Sequence, residues 1–558
     1  MNPETVIYPA RMVRTMDPAR PVATAIAVRG ALIRAVGSVE ELQQYPHTVV
    51  DDRYADKVLL PGFVEAHSHA GSASVWDGQI YVGYFDRSDP AGNTWPGCAN
   101  IEVVLDRLRE ADAALEDPDA PLLAWGLDNI YFPDENLLAR ELDGISERRF
   151  IKVNHANGHV AVVNSAVLAA AGIAASSRTA GVQRYPDGTP NGELREFAAT
   201  GLIAHLFDDH ASAINARTLR QFAQDAINHG VTTATDLGAM GLATPEGRAP
   251  FADAVDEDFG LRLSVFQFGM GLGTGPAAGQ LAAQLAAARE HNTAKLRLGH
   301  VKLMLDGSIQ GFTARLLAPG YLGNRPNGMW NTTPEEFEAA FAAFHRAGLL
   351  IHVHCNGDEA SELFLDTLES VLSRYPRPDH RHTITHSQLT TRAQYRRAAA
   401  LGACANIFAN HVWTWGDQHA DIILGWDRAA RMDAARSALR AGVPISLHSD
   451  VPVTELNPLQ SMKHAITRLT PSGRVLGEFE CLNVEEALHA VTLGAAFMLK
   501  MDHEVGSLEA GKFADVAILE EDPFAVEPEA LGLIRVAGTM LGGQHHVAKH
   551  GEPAVPGA

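Results

Sequence analysis

Residues 58–70, VLLPGFVEAHSHA, begin as a short apolar, β-rich run and close on two histidines one residue apart. Alternate side chains of a strand share a face, so His67 and His69 can reach one metal ion together. An HxH pair by itself is weak evidence, because paired imidazoles also occur as hydrogen-bonded surface or core residues. Glu65 lies on the same face and reads as a carboxylate that orients a ligand.

Working outward, β-rich runs recur at 232–237, 261–266, 300–305, 349–354, 382–386, 403–409 and 443–448, which with 58–65 makes eight. Several intervening stretches carry helix signals. TPEEFEAAFAAFHRAG, residues 333–348, offers Thr333 as N-cap, Pro334 at the first helical position, Glu336 two residues on and Gly348 as a stop. Eight strands alternating with helices predict an α/β fold of the (β/α)₈ TIM-barrel type, whose active site lies at the C-terminal strand ends. A doubly wound open sheet is the competing arrangement. Between the first and second strands lie roughly 160 residues, far more than a βα loop needs, so about 71–230 reads as an inserted subdomain beside the barrel mouth. Both ends of the chain carry short strands with Gly punctuation, including a hairpin turning at Arg29–Gly30. Residues 1–60 and 504–558 are therefore expected to form one small composite β-sandwich beside a 61–503 barrel.

Composition narrows the chemistry. The 558 residues hold 25 His but only 4 Cys, and Cys98, Cys355, Cys404 and Cys481 are too dispersed for a disulfide framework or a Cys-based zinc finger. Any metal site would be built from imidazole and carboxylate. A net charge of −22 argues against nucleic-acid partners and anionic membrane surfaces. The N-terminus lacks a basic stretch followed by an apolar core, and the most apolar long stretch, 160–175, is too short to span a bilayer. The expectation is a cytoplasmic protein acting on a small molecule, with a homodimer open.

Three further strand ends supply candidate ligands. IHVHCNGD (351–358) places His352 and His354 on one face, with His354 nearer the C-terminal end; THSQ (385–388) ends a strand at His386; SLHSDVPV (446–453) places His448 and Asp450 on one face. Each histidine alone reads as a structural residue. Their common position at converging strand ends weakens that reading. Lys302, in the apolar run HVKLMLDGS, is expensive to bury unpaired. Either it pairs with Asp306 on the same face or with another carboxylate, or its amine is carboxylated by CO₂ into an anionic ligand bridging two metals. The pattern does not choose between these.

Taken in order, PGFVEAHSH, VKLMLDGS, HCNGDEA, THSQ, SDVP and the C-terminal VGSLEAGKFADVAIL resemble the metal-dependent amidohydrolase superfamily. Within it they are similar to the branch holding N-substituted formamide deformylase and YtcJ-like hydrolases. The resemblance runs over nearly the whole chain. It implies that His67 and His69 bind the more buried metal, that Lys302 is the bridging lysine, that His354 and His386 bind a second metal, and that Asp450 is the strand-eight aspartate. It further implies that a histidine of VNHANGHVAVVNSAVL (153–168) sits near the substrate; His159 matches, with His155 a second candidate beside a capping or packing role for both. Two departures stand out. Glu65 replaces the usual aspartate, and His448 stands where a small residue is usual, free to contact substrate or to become an extra ligand. Trp413 and Trp415, in NHVWTWGDQ, either wall the substrate or pack against the insertion. The apolar FQFGMGLGTG (266–275) points the same way, to a hydrophobic substituent.

The activity expected from this resemblance is hydrolysis of an amide or formamide C–N bond. It would depend on one or two divalent ions, zinc by donor type, with Asp450 as general base and then general acid. An ester or lactone hydrolase or a deaminase on the same site, and a metal-binding sensor without turnover, remain open.

Overall fold

The computed structural model describes residues 4–132, 135–207 and 214–550. The outermost parts of the expected terminal unit, and short pieces of the insertion at 133–134 and 208–213, lie outside the described residues. Eight parallel strands form one curled sheet in sequence order: β1 (Phe63–Val64), β2 (Val231–Ala239), β3 (Arg262–Phe268), β4 (Leu296–Met304), β5 (Leu350–Cys355), β6 (Thr383–His386), β7 (Cys404–Ile407) and β8 (Ile445–Leu447). Every neighbouring pair is parallel, and strict sequence order rules out the doubly wound alternative, which requires a reversal of strand order. The central strands are buried at every position, as expected for parallel strands covered on both faces.

The sheet is a curled half-barrel rather than a fully hydrogen-bonded cylinder. Among the described residues no ladder joins β1 to β8. The seam is bridged by loops and side chains instead: the His69 N–H donates to the Val451 carbonyl at 2.9 Å, and the Ser449 N–H donates to Glu65 at 3.1 Å. This gives Glu65 a structural task, because the seam runs directly under the histidines of the β1 end.

Helix Pro334–Arg346 follows its sequence signals: the Thr333 hydroxyl accepts from Glu336 N–H, and Gly348 adopts a left-handed φ of +74°. Its Phe337, Phe341 and Phe344 are buried on the same apolar core as Phe364, each contributing about 1.5–3 kcal/mol on burial. Strands from both termini share a second, mixed sheet. There Val58–Pro61 pairs antiparallel with Val516–Leu519 and parallel with Thr5–Arg14, while Val22–Arg29 and Leu32–Gly37 form the hairpin at Gly30.

The segment between β1 and β2 builds a separate six-stranded sheet, in which Ile151–His155 and Val160–Val163 are an antiparallel hairpin. It is clamped to the loop after β8. The Arg87 guanidinium donates to the carbonyls of Pro452 at 2.6 Å and Thr454 at 3.2 Å, and the Ser88 N–H donates to Glu455 at 2.6 Å. Among the described residues no helix is long and apolar enough to cross a membrane.

Candidate metal centre and substrate cavity

The side chains at the C-terminal ends of β1, β6 and β8 converge. His67 Nε2 lies 3.0 Å and His69 Nε2 3.3 Å from Asp450 Oδ1, and His386 Nδ1 lies 3.7 Å from Asp450 Oδ2. His67, His69 and Asp450 together, and His67, His386 and His448 together, each bring three donor atoms within 4.8 Å of one another. His354, at the end of β5, packs its ring 4.5 Å from that of His386. Asp450 and His386 both adopt positive φ, +54° and +67°, so the chain turns sharply at two of the converging residues.

Burial sets the protonation states. It drives the imidazoles of His67, His354 and His386 well below their ordinary pKa, which keeps them neutral and able to donate a lone pair to a metal. Burial also opposes charge on Asp450. There the neighbouring His67 and His386 more than offset it, and the carboxyl is held well below the usual range.

Both ring nitrogens of His67, Nδ1 of His386, Oδ1 of Asp450 and Nζ of Lys302 are buried with no hydrogen-bond partner. Leaving so many polar atoms unpaired costs about 1–3 kcal/mol each. A cation among them would satisfy them at once, and imidazole plus carboxylate is a donor set suited to zinc. The residues fit a metal.

Lys302 does not pair with Asp306. The Asp306 carboxylate instead accepts backbone N–H groups from Asn356, Gly357 and Arg315 at 3.0, 2.8 and 3.0 Å. Burial without a salt bridge lowers the Lys302 amine to about 7.

A cavity of about 230 Å³ opens onto His69, Lys302, His354, His386 and Asp450, and His159 of the insertion lines it too. Trp76, Phe197 and Phe268 supply its aromatic walls. His159 sits at the tip of the insertion hairpin, its ring 5.1 Å from that of His354 and its Nδ1 2.9 Å from Glu196 Oε2. Burial works against the imidazolium, but Glu196, Asp450 and Asp306 outweigh it and raise the His159 pKa.

Four candidates that the sequence leaves open between substrate contact and packing or ligation do not line this cavity. His155 ends the first strand of the hairpin and lines a different cavity from His159, beside Asp128. Its Nδ1 lies 3.9 Å from Asp128, and Asp128 also accepts the Trp415 indole N–H at 2.9 Å. His155 and Trp415 thus belong to one buried cluster where the insertion rests on the helix Asn410–Gln418. Trp413 stacks on His464 (centroids 5.6 Å apart, planes at 5°) and lines a neighbouring pocket. His448 does not reach the cavity wall; it lies buried behind His67 and His386, stacked on Phe408, with both ring nitrogens unpartnered.

Other residues of the site had no readable signal. Trp76 ends the helix Ala70–Trp76 that follows the HSH motif, and Glu196 follows a turn-rich stretch with no motif around it. Phe268, the last residue of β3, is the exception, since it lies in the apolar segment 266–275 that points to a hydrophobic substituent.

Fold and site together define a metal-dependent hydrolase built on a parallel curled sheet. The chain belongs to the amidohydrolase family, whose sequence model matches residues 55–547. It is similar to Protein LONG AFTER FAR-RED 3 of Arabidopsis thaliana, 27% identical over 545 residues and covering 95% of this chain and 89% of that protein. It is also similar to N-substituted formamide deformylase of Arthrobacter pascens, 24% identical over 555 residues and covering 95% and 96%. Among solved structures, an uncharacterized metal-dependent hydrolase from Pyrococcus horikoshii OT3 superposes with a TM-score of 0.70 at 17% identity, over 94% of this chain and 99% of that one. At that identity the likeness speaks to the fold alone.

Proposed function

We propose that the protein hydrolyses the C–N bond of a small N-formyl or N-acyl amine. The observation that carries this reading is the set of orphaned polar atoms on His67, His386, Lys302 and Asp450, grouped with His69 beside a cavity walled by Trp76, Phe197 and Phe268. His67, His69 and Asp450 would hold one divalent ion; His354 and His386 would hold a second, with Lys302 between the two. Zinc suits the donors. With the Lys302 amine lowered to about 7, a substantial fraction is uncharged at pH 7, and that is the form that reacts with CO₂, which supports carboxylation of Lys302. When bound, the metal supplies Lewis acidity and lowers the pKa of a nearby water.

The remaining chemistry falls to the chain. Asp450 takes the proton of the attacking water and delivers it to the departing nitrogen, so that the amine leaves neutral. His159, which lines the same cavity as Asp450, donates to the carbonyl oxygen as negative charge develops there. The aromatic walls hold the substituent and, with the clamped insertion, keep bulk water out. The similarity to N-substituted formamide deformylase supports a formamide as the first substrate to try.

The test is a panel of N-formyl and N-acyl amines, scored for amine, formate, ammonia and alcohol release by protein of known metal content. Amine release that tracks bound metal is expected. Exclusive ammonia or alcohol release would reassign the reaction to a deaminase or an esterase.

A further inference from the structure

One residue outside the metal cluster is built in a way that packing alone does not explain. Glu196 is 1% exposed, yet it carries a carboxylate and adopts a left-handed φ of +62°, a conformation that a residue with a β-carbon takes only against strain. It grips His159 twice. The Glu196 N–H donates to the His159 carbonyl at 2.7 Å, and Glu196 Oε2 accepts from His159 Nδ1 at 2.9 Å.

The same oxygen receives Asn331 Nδ2 at 2.8 Å, and Asn331 is tied to the end of β4 through its own N–H to the Leu305 carbonyl at 2.8 Å and its side-chain N–H to the Asp306 carbonyl at 3.0 Å. Room for the carboxylate is provided by a glycine: a Cβ on Gly307 would meet Glu196 Oε1 at 2.1 Å. A buried carboxylate, a strained backbone and a glycine that makes space thus converge on one imidazole, and that imidazole reaches the cavity from a different sheet than the metal cluster does.

The two nitrogens of an imidazole lie on opposite sides of the ring. With Nδ1 committed to Glu196, Nε2 is the nitrogen left for the cavity. We propose that Glu196 is a positioning residue: by fixing the His159 ring and tying it through Asn331 to the β4 end, it holds Nε2 against the substrate carbonyl. The proposal rests on the hydrolase reading above, in which His159 donates to that carbonyl. The competing account is that the pair only staples the insertion to the barrel.

A double-mutant cycle separates them. Glu196→Ala is expected to lower kcat by about 10- to 100-fold, the usual cost of losing a group that orients a functional histidine, with metal content unchanged. KM should stay within about twofold, because the interaction is made in the transition state. Glu196→Gln, which can still accept from Nδ1–H, should recover a large part of the loss. In a His159→Ala background, Glu196→Ala should cost nothing further, because its effect passes through that ring. An equal cost with and without His159, or a loss confined to KM or to metal binding, would overturn the proposal.

The crystal structure of the Glu196→Ala protein decides the point independently of turnover. A His159 ring turned from the cavity is expected, and a ring left in place would overturn the positioning role. Lack of turnover by the wild-type protein on the amide panel would count against the hydrolase reading alone.

Discussion

Asp450 is where the site's charge is concentrated: three imidazoles approach its two oxygens, and its carboxylate is stabilised well below the usual range. Asp450→Asn keeps the shape but removes the proposed base, and kcat is expected to fall by about 10²- to 10⁴-fold on any substrate the wild type cleaves. Steady-state kinetics check this, and a variant within about threefold of wild type would remove Asp450 from the mechanism. His67 and His69 were readable in the sequence because a strand's two-residue period puts them on one face whatever the rest of the fold does. His155 and His159 were not separable in that way. They flank a hairpin turn, and only the pairing of Ile151–His155 with Val160–Val163 decides which of them faces the barrel. A similar reason applies to the indoles: whether Trp76 or Trp415 reaches the cavity depends on where the insertion rests, and no local spacing encodes that.

At the scale of elements, two polar devices hold loops and helices to the sheet. Asp306, just beyond β4, accepts three backbone N–H groups from the loops after β4 and β5. Asp306→Ala leaves all three unpaired, those of Asn356 and Gly357 buried, and a destabilisation of about 3 kcal/mol is expected, read as a lower urea midpoint. The second device lies at the N-terminal end of β6, away from the catalytic mouth. His382 Nδ1 accepts from the Ile351 N–H at 3.2 Å, so its other nitrogen carries the proton and donates to His345 Nδ1 at 2.9 Å; His345 Nε2–H then donates to the Tyr375 carbonyl at 2.8 Å. The chain is satisfied only when both rings are neutral.

Burial accordingly lowers the pKa of His345 and drives that of His382 well below its ordinary value. Below about pH 6.5 the unfolded chain binds protons that these folded rings refuse, so their stabilisation is present above that pH and is lost as pH falls below it. Burial raises Glu65 to about 8 and Asp128 and Asp306 to about 7, which works in the opposite direction, so total stability is not the right readout. The difference in Tm between wild type and His382→Gln is. It should narrow as pH falls from about 7.5 to 5.5, and a constant difference would show that the rings are not proton-linked. The helix cap at Thr333 was legible because it is local. The histidine chain was not, because it joins a helix end to two strand starts.

For the whole molecule, the order of eight parallel strands could be read from alternating β-rich and helical segments. The pairing inside the insertion could not, because its strands join residues far apart in sequence, such as Val160–Val163 with Pro190–Arg195. Nor could the open seam between β1 and β8, where β1 is only two residues long and loop contacts take over from a ladder. A metal held by His67, His69 and Asp450 would couple to the fold at that seam, since the three residues flank it from both sides. Stripping metal with a chelator should therefore lower Tm by several degrees, with recovery on adding zinc, because an ion bound only by the folded state stabilises it by mass action. An unchanged Tm would mean that the orphaned donors do not hold an ion.

The most direct measurement couples metal content to chemistry: as-isolated, stripped and zinc-reloaded protein, each assayed for metal per chain and for amine release from the N-formyl and N-acyl amine panel. Release proportional to bound metal, abolished by stripping and restored by reloading, is the predicted result. Full hydrolysis by metal-free protein would contradict the account.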